Sequence, residues 1–128
     1  IEANRFMLEN IESNIKGIVD NNSKITGNVL IEEGTEIINS DICGPVAIGK
    51  NCKIVDSSIG GYTSIGNDTS INNCKIEESV ILEKGALSYI ENRISHSLFG
   101  RDVVVKSSKK KSSQYRFILA DHSIIELP

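Results

Sequence analysis

The chain has 128 residues, a length that fits one domain, with a formal net charge of −3, three Phe, three Tyr and no Trp. This composition argues against a core centred on aromatic side chains, and the charge leaves no broad basic surface for nucleic acid. No stretch approaches the roughly 20 consecutive apolar residues of a membrane span, so we expect a soluble protein with neither a membrane nor a nucleic-acid partner.

The three cysteines Cys43, Cys52 and Cys74 form no C-x-x-C pair, and no signal peptide is recognisable. An odd number of isolated cysteines argues against a disulfide framework or a zinc knuckle. Cys43 and Cys74 also lack a neighbouring base in the sequence and receive no role. We therefore expect a protein of the reducing cytoplasm without a metal site.

Residues 2 to about 13 form the first predicted element, a short helix. Ala3, Phe6 or Met7, and Ile11 recur at helical spacing and define one apolar face. We expect this helix to cap the element that follows, because the ends of repeat structures expose unpaired backbone. The sequence begins with Ile1 rather than Met, and we expect a piece cut from a longer chain.

After the helix, the apolar residues follow a 17-residue repeat. Three apolar columns share this register: Ile25, Ile42, Ile59 and Ile76; Ile31, Ile48, Ile65, Leu82 and Phe99; Ile37, Ile54 and Ile71. A fourth column holds residue types that suit tight turns: Gly34, Asn51, Asp68, Gly85 and Asp102. A fifth column holds only small to medium side chains: Thr35, Cys52, Thr69, Ala86 and Val103. Its place in the fifth column indicates that Cys52 is a small core residue and not a nucleophile.

A fixed repeat of this kind is typical of a solenoid, in which each turn buries its apolar face against the next. Three short faces per turn, each with one large aliphatic residue pointing inward, predict an all-β fold, a parallel β-helix of about five turns over residues 17–105. Hexapeptide motifs such as IGKNC from Ile48 and IGNDT from Ile65 resemble those of the left-handed β-helix family. That resemblance, and not the periodicity, implies the left hand.

The repeat loses register near residues 87 to 98, where Ser88 and Arg93 occupy positions expected to hold Ile. Ile90 and Ile94 lie nearby, which predicts an irregular turn or a one-residue slip. The final region, residues 106–128, is predicted as a basic loop with the sequence KSSKKKSS followed by a closing hairpin around Ala120 to Ser123.

The two imidazoles, His96 and His122, are the first candidates for catalysis. A β-helix carbonic anhydrase needs three His ligands per zinc, so that activity is set aside. Solenoids of this type also transfer acyl groups from coenzyme A with a His as general base, and His96 in ISHSLFGRD is the candidate for that role. A solvated His96 on the outer face is the alternative interpretation.

The remaining polar candidates have plainer interpretations. His122 is predicted to be a turn residue beside Asp121. The run from Lys106 to Lys111 is predicted to be a solvated segment, with a phosphate or the acidic face of a partner as the alternative ligand.

Three segments in order resemble the C-terminal region of long-form glucose-1-phosphate thymidylyltransferases, a family of sugar-1-phosphate nucleotidyltransferases. They are EANRFMLENI, NRISHSLFGRDVVV after the central repeats, and YRFILADHSIIEL. In that family a helix resembling Glu2 to Ile11 follows the catalytic domain. A closing motif, hydrophobic-Gly-Asp-x-Ser, resembles Leu119 to Ser123 with Ala120 in place of Gly.

The resemblance implies that residues 1–16 are a helix and linker from a missing N-terminal catalytic domain. The parent enzyme would make dTDP-glucose and pyrophosphate from dTTP and glucose 1-phosphate, with Mg²⁺ held by that domain. No Gly-rich nucleotide-binding motif occurs in this chain. We therefore expect no catalytic residue, cofactor or metal in the fragment itself.

The resemblance also implies an assembly role, in which flat faces of the solenoid pack side by side into a homo-oligomer, expected to be a trimer. The alternative is an acetyl-coenzyme A-dependent sugar-phosphate acetyltransferase domain of a bifunctional nucleotidyltransferase. In that case His96 would be the base.

Overall fold

A computed structural model describes residues 2–107, 118–119 and 121–127. Within these ranges the chain forms one helix, α1 (Glu2–Glu9), followed by short strands in three parallel sheets. Successive strands pass from sheet 1 to sheet 2 to sheet 3 and back, so the sheets form the three sides of a prism.

The strands of each sheet come from successive turns. Sheet 1 contains β1 (Asn14–Ile15), β4 (Val29–Ile31), β7 (Val46–Ile48), β10 (Thr63–Ile65), β13 (Val80–Ile81), β16 (Leu98–Phe99) and β18 (Ile118–Leu119). Sheet 2 contains β2 (Ile18–Val19), β5 (Glu36–Ile38), β8 (Lys53–Val55), β11 (Ser70–Asn72), β14 (Ala86–Ser88), β17 (Val104–Ser107) and β19 (Ile124–Leu127). Sheet 3 contains β3 (Lys24–Thr26), β6 (Asp41–Cys43), β9 (Ser58–Ile59), β12 (Lys75–Glu77) and β15 (Ile94–Ser95).

The core is a set of aliphatic columns along the prism axis. Neighbours in the sheets pair Ile31 with Ile48 and Ile48 with Ile65, as the 17-residue register predicts. The columns that start at Ile25 and Ile37 pair equally through Ile76 and Ile71. Side chains alternate across the short strands, so one large residue per strand points inward and its neighbour outward. The prediction of an all-β left-handed β-helix with a short N-terminal helix is confirmed, and the solenoid has about six turns.

The 17-residue register slips by one residue at Ile81, ahead of the region from 87 to 98 where the sequence predicted a slip. Ile65 pairs with Ile81, 16 residues later, so Ile81 is buried and the predicted core residue Leu82 is 40% exposed. The placement of Leu82 in the inward column is therefore wrong. The same shift puts Lys84 at the positive-φ turn position predicted for Gly85 and puts the buried Gly85 at the small-residue position predicted for Ala86.

The irregular turn expected near residues 87 to 98 is present. Ile71 and Ile76 are five residues apart, whereas their partners Leu87 and Ile94 are seven apart, so this turn contains two extra residues. Ile90, within the insertion, is buried and fills the space beneath it. The core is thus maintained although the repeat is not.

The predicted closing hairpin is wrong. β18 pairs in parallel with β16, and β19 pairs in parallel with β17, so both continue the solenoid. The alternation of apolar residues around Ser123 fits a parallel strand as well as a hairpin strand, since side chains alternate in both. Residues 108–117, with most of the predicted basic loop, lie outside the described residues, and Lys106 belongs to β17.

Buried hydroxyls support the corner between sheets 2 and 3. The Ser57 hydroxyl donates to the carbonyl oxygen of Val55 at 2.8 Å and accepts from the backbone N–H of Cys74 at 3.2 Å. Ser40 makes the equivalent contacts one turn earlier. These bonds satisfy backbone groups that the turn removes from the sheets.

Helix α1 lies beside sheet 1 and not over the open first turn, where Ile18 remains 68% exposed. Leu8 is its buried residue, while Phe6 and Met7, assigned to the packed face from the sequence, are 72% and 48% exposed. Polar contacts to Tyr62 and Glu78 on the solenoid explain this placement, and they are described with the site below.

Candidate functional site

The predicted base His96 lies at the corner between sheets 3 and 1, which we call corner 3. It has a positive φ of 51°, and so do Glu78 and Tyr62 one and two turns earlier, at 47° and 64°. This backbone conformation projects the three side chains outward in a row. His96 is therefore a corner residue, and its side chain is 51% exposed.

His96 is held by a carboxylate. Its Nε2 atom lies 2.8 Å from Oε2 of Glu78, and Nη1 of Arg5 lies 3.9 Å from the same oxygen. A carboxylate that orients an imidazole is one half of a general-base site; the other half is a substrate or nucleophile at the second nitrogen.

The surroundings of this pair attach α1 to the solenoid. The guanidinium of Arg5 lies 3.7 Å from the centroid of the Tyr62 ring. Tyr62 donates its hydroxyl to Glu9 at 3.4 Å and accepts a hydrogen bond from the Asn4 amide at its backbone oxygen. Glu78 therefore contacts both the helix and His96.

His122 lies in the turn before β19, at the corner between sheets 1 and 2, which we call corner 1. Its Nδ1 atom is 2.9 Å from Oδ2 of Asp102, so its described side-chain contact is with Asp102 and not with the adjacent Asp121. Asp121 instead receives two hydrogen bonds from the Arg101 side chain, at 2.8 and 3.1 Å. This pair lowers the pKa of Asp121 and raises that of Arg101.

The cysteines give no reactive centre. Burial raises the pKa of Cys74 to about 11 and also raises the pKa of Cys52. Cys52 lies in the core, where its sulfur contacts the backbone oxygen of Gly66 at 3.1 Å. These two buried thiols are protonated near neutral pH. Cys43 differs from them because its side chain is exposed.

Sequence reasoning missed a groove on the outer face of sheet 1. Its volume is about 440 Å³, and Asn4 of α1 borders it. The floor consists of outward residues of successive strands, Leu30, Ala47, Ser64 and Val80, and of Gly49 and Gly66, which directly follow β7 and β10. Glu32, Glu83 and Arg101 lie among its lining residues. The sequence feature that marks this groove is the set of small, uncharged residues between the inward-pointing Ile positions.

Gly66 makes the floor flat because it lies close to the next turn. A Cβ atom at this position would lie 2.6 Å from the backbone nitrogen of Glu83 and 2.8 Å from the carbonyl carbon of Leu82. The neighbouring backbone leaves no room for a larger residue.

In the described part of the chain, no group of three or more His, Cys, Asp or Glu side chains is placed to hold a metal ion. The helix found in the same ranges does not have the length and apolar character required to cross a bilayer.

The fold and the corner contacts define a left-handed parallel β-helix with an N-terminal helix attached along one side. Sequence comparison then gives its relatives. The chain is 39% identical over 127 residues to a glucose-1-phosphate thymidylyltransferase of Streptomyces antibioticus, covering 99% of this chain and 35% of the relative. A glucose-1-phosphate thymidylyltransferase of Streptomyces griseus is 37% identical over 123 residues, covering 96% and 34%.

The resemblance predicted from the sequence is thereby confirmed: nearly the whole chain is homologous to about one third of a glucose-1-phosphate thymidylyltransferase. No protein-family model matches the chain. A crystal structure of a mutant GDP-perosamine N-acetyl transferase from Caulobacter crescentus, in complex with CoA and GDP-perosamine, aligns with a TM-score of 0.45 at 16% identity. That alignment covers 90% of this chain and 53% of the other.

Proposed function

We propose that the chain is the C-terminal assembly domain of a glucose-1-phosphate thymidylyltransferase. The observation that carries this proposal is the homology over 99% of the chain to only 35% of such a protein. The cross-turn pairing of the solenoid also suits a rigid support, because each turn is hydrogen-bonded to its neighbours.

The parent enzyme would condense dTTP with glucose 1-phosphate in the cytoplasm and release pyrophosphate. Its nucleotide-binding residues and Mg²⁺ would belong to an N-terminal catalytic domain. The assembly domain would join into a trimer and hold the catalytic domains in a fixed relation. The sequence predicted divisions at residues 1–16, 17–105 and 106–128. Because β1 already pairs with β4, and β18 and β19 pair with β16 and β17, the proposed assembly unit runs from β1 to β19.

A second candidate function rests on the 2.8 Å contact between His96 and Glu78. An oriented imidazole would accept a proton from the amine of an amino sugar phosphate as it attacks the thioester of acetyl-coenzyme A. An amide bond then forms, the C–S bond breaks, and coenzyme A leaves as a thiol that takes the proton. In that case a substrate must approach the exposed side of His96. Against it, Glu78 also contacts Arg5 and so has a structural role in attaching α1.

Two assays of the chain separate these functions. With dTTP, glucose 1-phosphate and Mg²⁺, the chain is expected to release no pyrophosphate above background. With acetyl-coenzyme A and an amino sugar phosphate, it is expected to form no acetylated product. The isolated domain would then be non-catalytic.

The variant His96→Ala, with His122→Ala as its matched control, tests whether any acetylation depends on His96. Acetylation that His96→Ala abolishes and His122→Ala preserves would establish the acetyltransferase function. Pyrophosphate release by the chain would show that nucleotidyl transfer does not require a further domain.

A further inference from the structure

The outer surface of sheet 1 differs in charge from the other two faces. From β1 to β16 its strand residues carry no charge, and its charged residues, Glu32, Glu83 and Arg101, lie beyond the strand ends. By contrast, sheet 2 presents Glu36, Lys53 and Lys106 within its strands, and sheet 3 presents Lys24, Asp41, Lys75 and Glu77. Solvated faces normally carry charged side chains, and an uncharged face marks an interaction surface. Sheet 1 is thus the face suited to a partner.

Helix α1 shows the matching pattern. At 100° per residue, its three charged residues, Glu2, Arg5 and Glu9, fall within about 60° of one another. Arg5 and Glu9 contact corner 3, and the buried Leu8 faces the solenoid. The outer side of the helix carries the exposed residues Ala3, Phe6 and Met7, with the exposed Glu2 at its edge. An isolated helix on a surface normally has its charges there.

We propose that Phe6 and Met7 of α1 insert into the sheet 1 groove of a second copy of this chain. The inference rests on the proposed assembly role and assigns its interface. Around a threefold axis each copy would give its α1 to the next copy and receive one in its own groove. The exposed Phe6 and Met7 of each copy then meet the groove of the next copy.

The groove floor fits this occupant. Ala47, Gly49, Ser64 and Gly66 are small enough for a helix to approach, and Leu30 and Val80 add apolar contact at the two ends of the floor. The surface is also large: strands about 4.8 Å apart give roughly 29 Å along seven strands. The strand length and a helix beside it make it about 20 Å wide. These dimensions give roughly 580 Å² on each copy, at the low end of the range for specific protein interfaces.

Disulfide trapping tests the contact directly. In a Cys43→Ser background, which removes the exposed native thiol, Phe6→Cys chains are mixed with Ser64→Cys chains and oxidised. The expected product is a disulfide-linked pair on a non-reducing gel. The matched control replaces Ser64→Cys by Tyr89→Cys, at a position that is 59% exposed on a different corner, and it is expected to give only background.

Truncation gives a second readout that does not depend on thiol geometry. Phe6→Ser is expected to raise the dissociation constant of the assembly at least about tenfold, because a central aromatic residue dominates such contacts. Tyr89→Ser is expected to leave it unchanged. Since both side chains are exposed, neither change should unfold the chain.

The outcomes separate this interface from the assembly role. A wild-type chain that assembles while both pairs of variants behave alike would overturn the interface and leave the assembly role standing. A wild-type chain that is monomeric at micromolar concentration would overturn both.

Discussion

Individual side chains determine where the chain turns and how its last turn is fastened. Asn51, Asp68 and Asp102 adopt positive φ values of 56 to 58° at corner 1, a conformation that Asn and Asp tolerate better than most residues. These positions were recognisable from the sequence. The ion pair of Arg101 with Asp121 was not, because its members are 20 residues apart and the turn that joins them was assigned to a hairpin.

The stability of the last turn is expected to depend on pH through Asp121. Arg101 lowers the pKa of this carboxyl below its ordinary value of 3.8. The ion pair therefore makes its full contribution to the stability of the fold above pH 3.8, the ordinary pKa of the carboxyl. That contribution is lost as the pH falls through the lowered pKa of Asp121 in the folded state. Asp121→Asn should reduce the melting temperature at pH 7, and the difference from wild type should disappear toward pH 2.

Asp41→Asn, which removes an exposed carboxylate on sheet 3, is the control and should show no such pH-dependent difference. The measurement is thermal unfolding followed by circular dichroism at several pH values. A difference between wild type and Asp121→Asn that grows on acidification would contradict the proposed role of the ion pair.

At the scale of the strands, the sequence predicted the core where its repeat is exact. The columns from Ile31 to Ile65 needed no more than the 17-residue period, because identical neighbours stack in register. The shift at Ile81 was hidden, since Leu82 is equally apolar and satisfies the period. Packing decides between the two, and packing depends on the length of the preceding corner, which a period alone cannot specify.

The register shift can be tested with adjacent residues. Ile81→Asp places an unpaired charge in a column where the native side chain is 1% exposed, so we expect the chain not to fold. Leu82→Asp places the same charge on an exposed position and should preserve the β spectrum in far-ultraviolet circular dichroism. The opposite result would mean that Leu82, as the unbroken repeat predicts, lies in the core.

Of the two candidate sites, one residue was recognisable from the sequence and the groove was not. His96 was found because imidazoles are few and conspicuous, but its contact with Glu78 depends on a turn of 18 residues that the 17-residue repeat does not predict. The groove was missed because it is formed by small, uncharged residues such as Gly66 and Ser64. Residues of that kind acquire meaning only when strands from successive turns are placed side by side.

As a whole, the molecule has the form of a rigid support, and we propose that it assembles its parent enzyme. The buried Ile columns and the parallel pairing make a stiff prism, and α1 is attached to it at corner 3. We propose that the groove on sheet 1 contacts neighbouring copies. The relatives, of which this chain spans about one third, are named for an enzymatic reaction. An assembly domain explains both facts.

Sedimentation equilibrium of the wild-type chain is the most direct test of this central claim. Three copies joined about an axis predict a mass about three times the 14.0 kDa of the chain at micromolar concentration. The mass should remain so as the concentration is varied across the micromolar range. A mass of 14.0 kDa under the same conditions would contradict the claim that this domain assembles its parent enzyme.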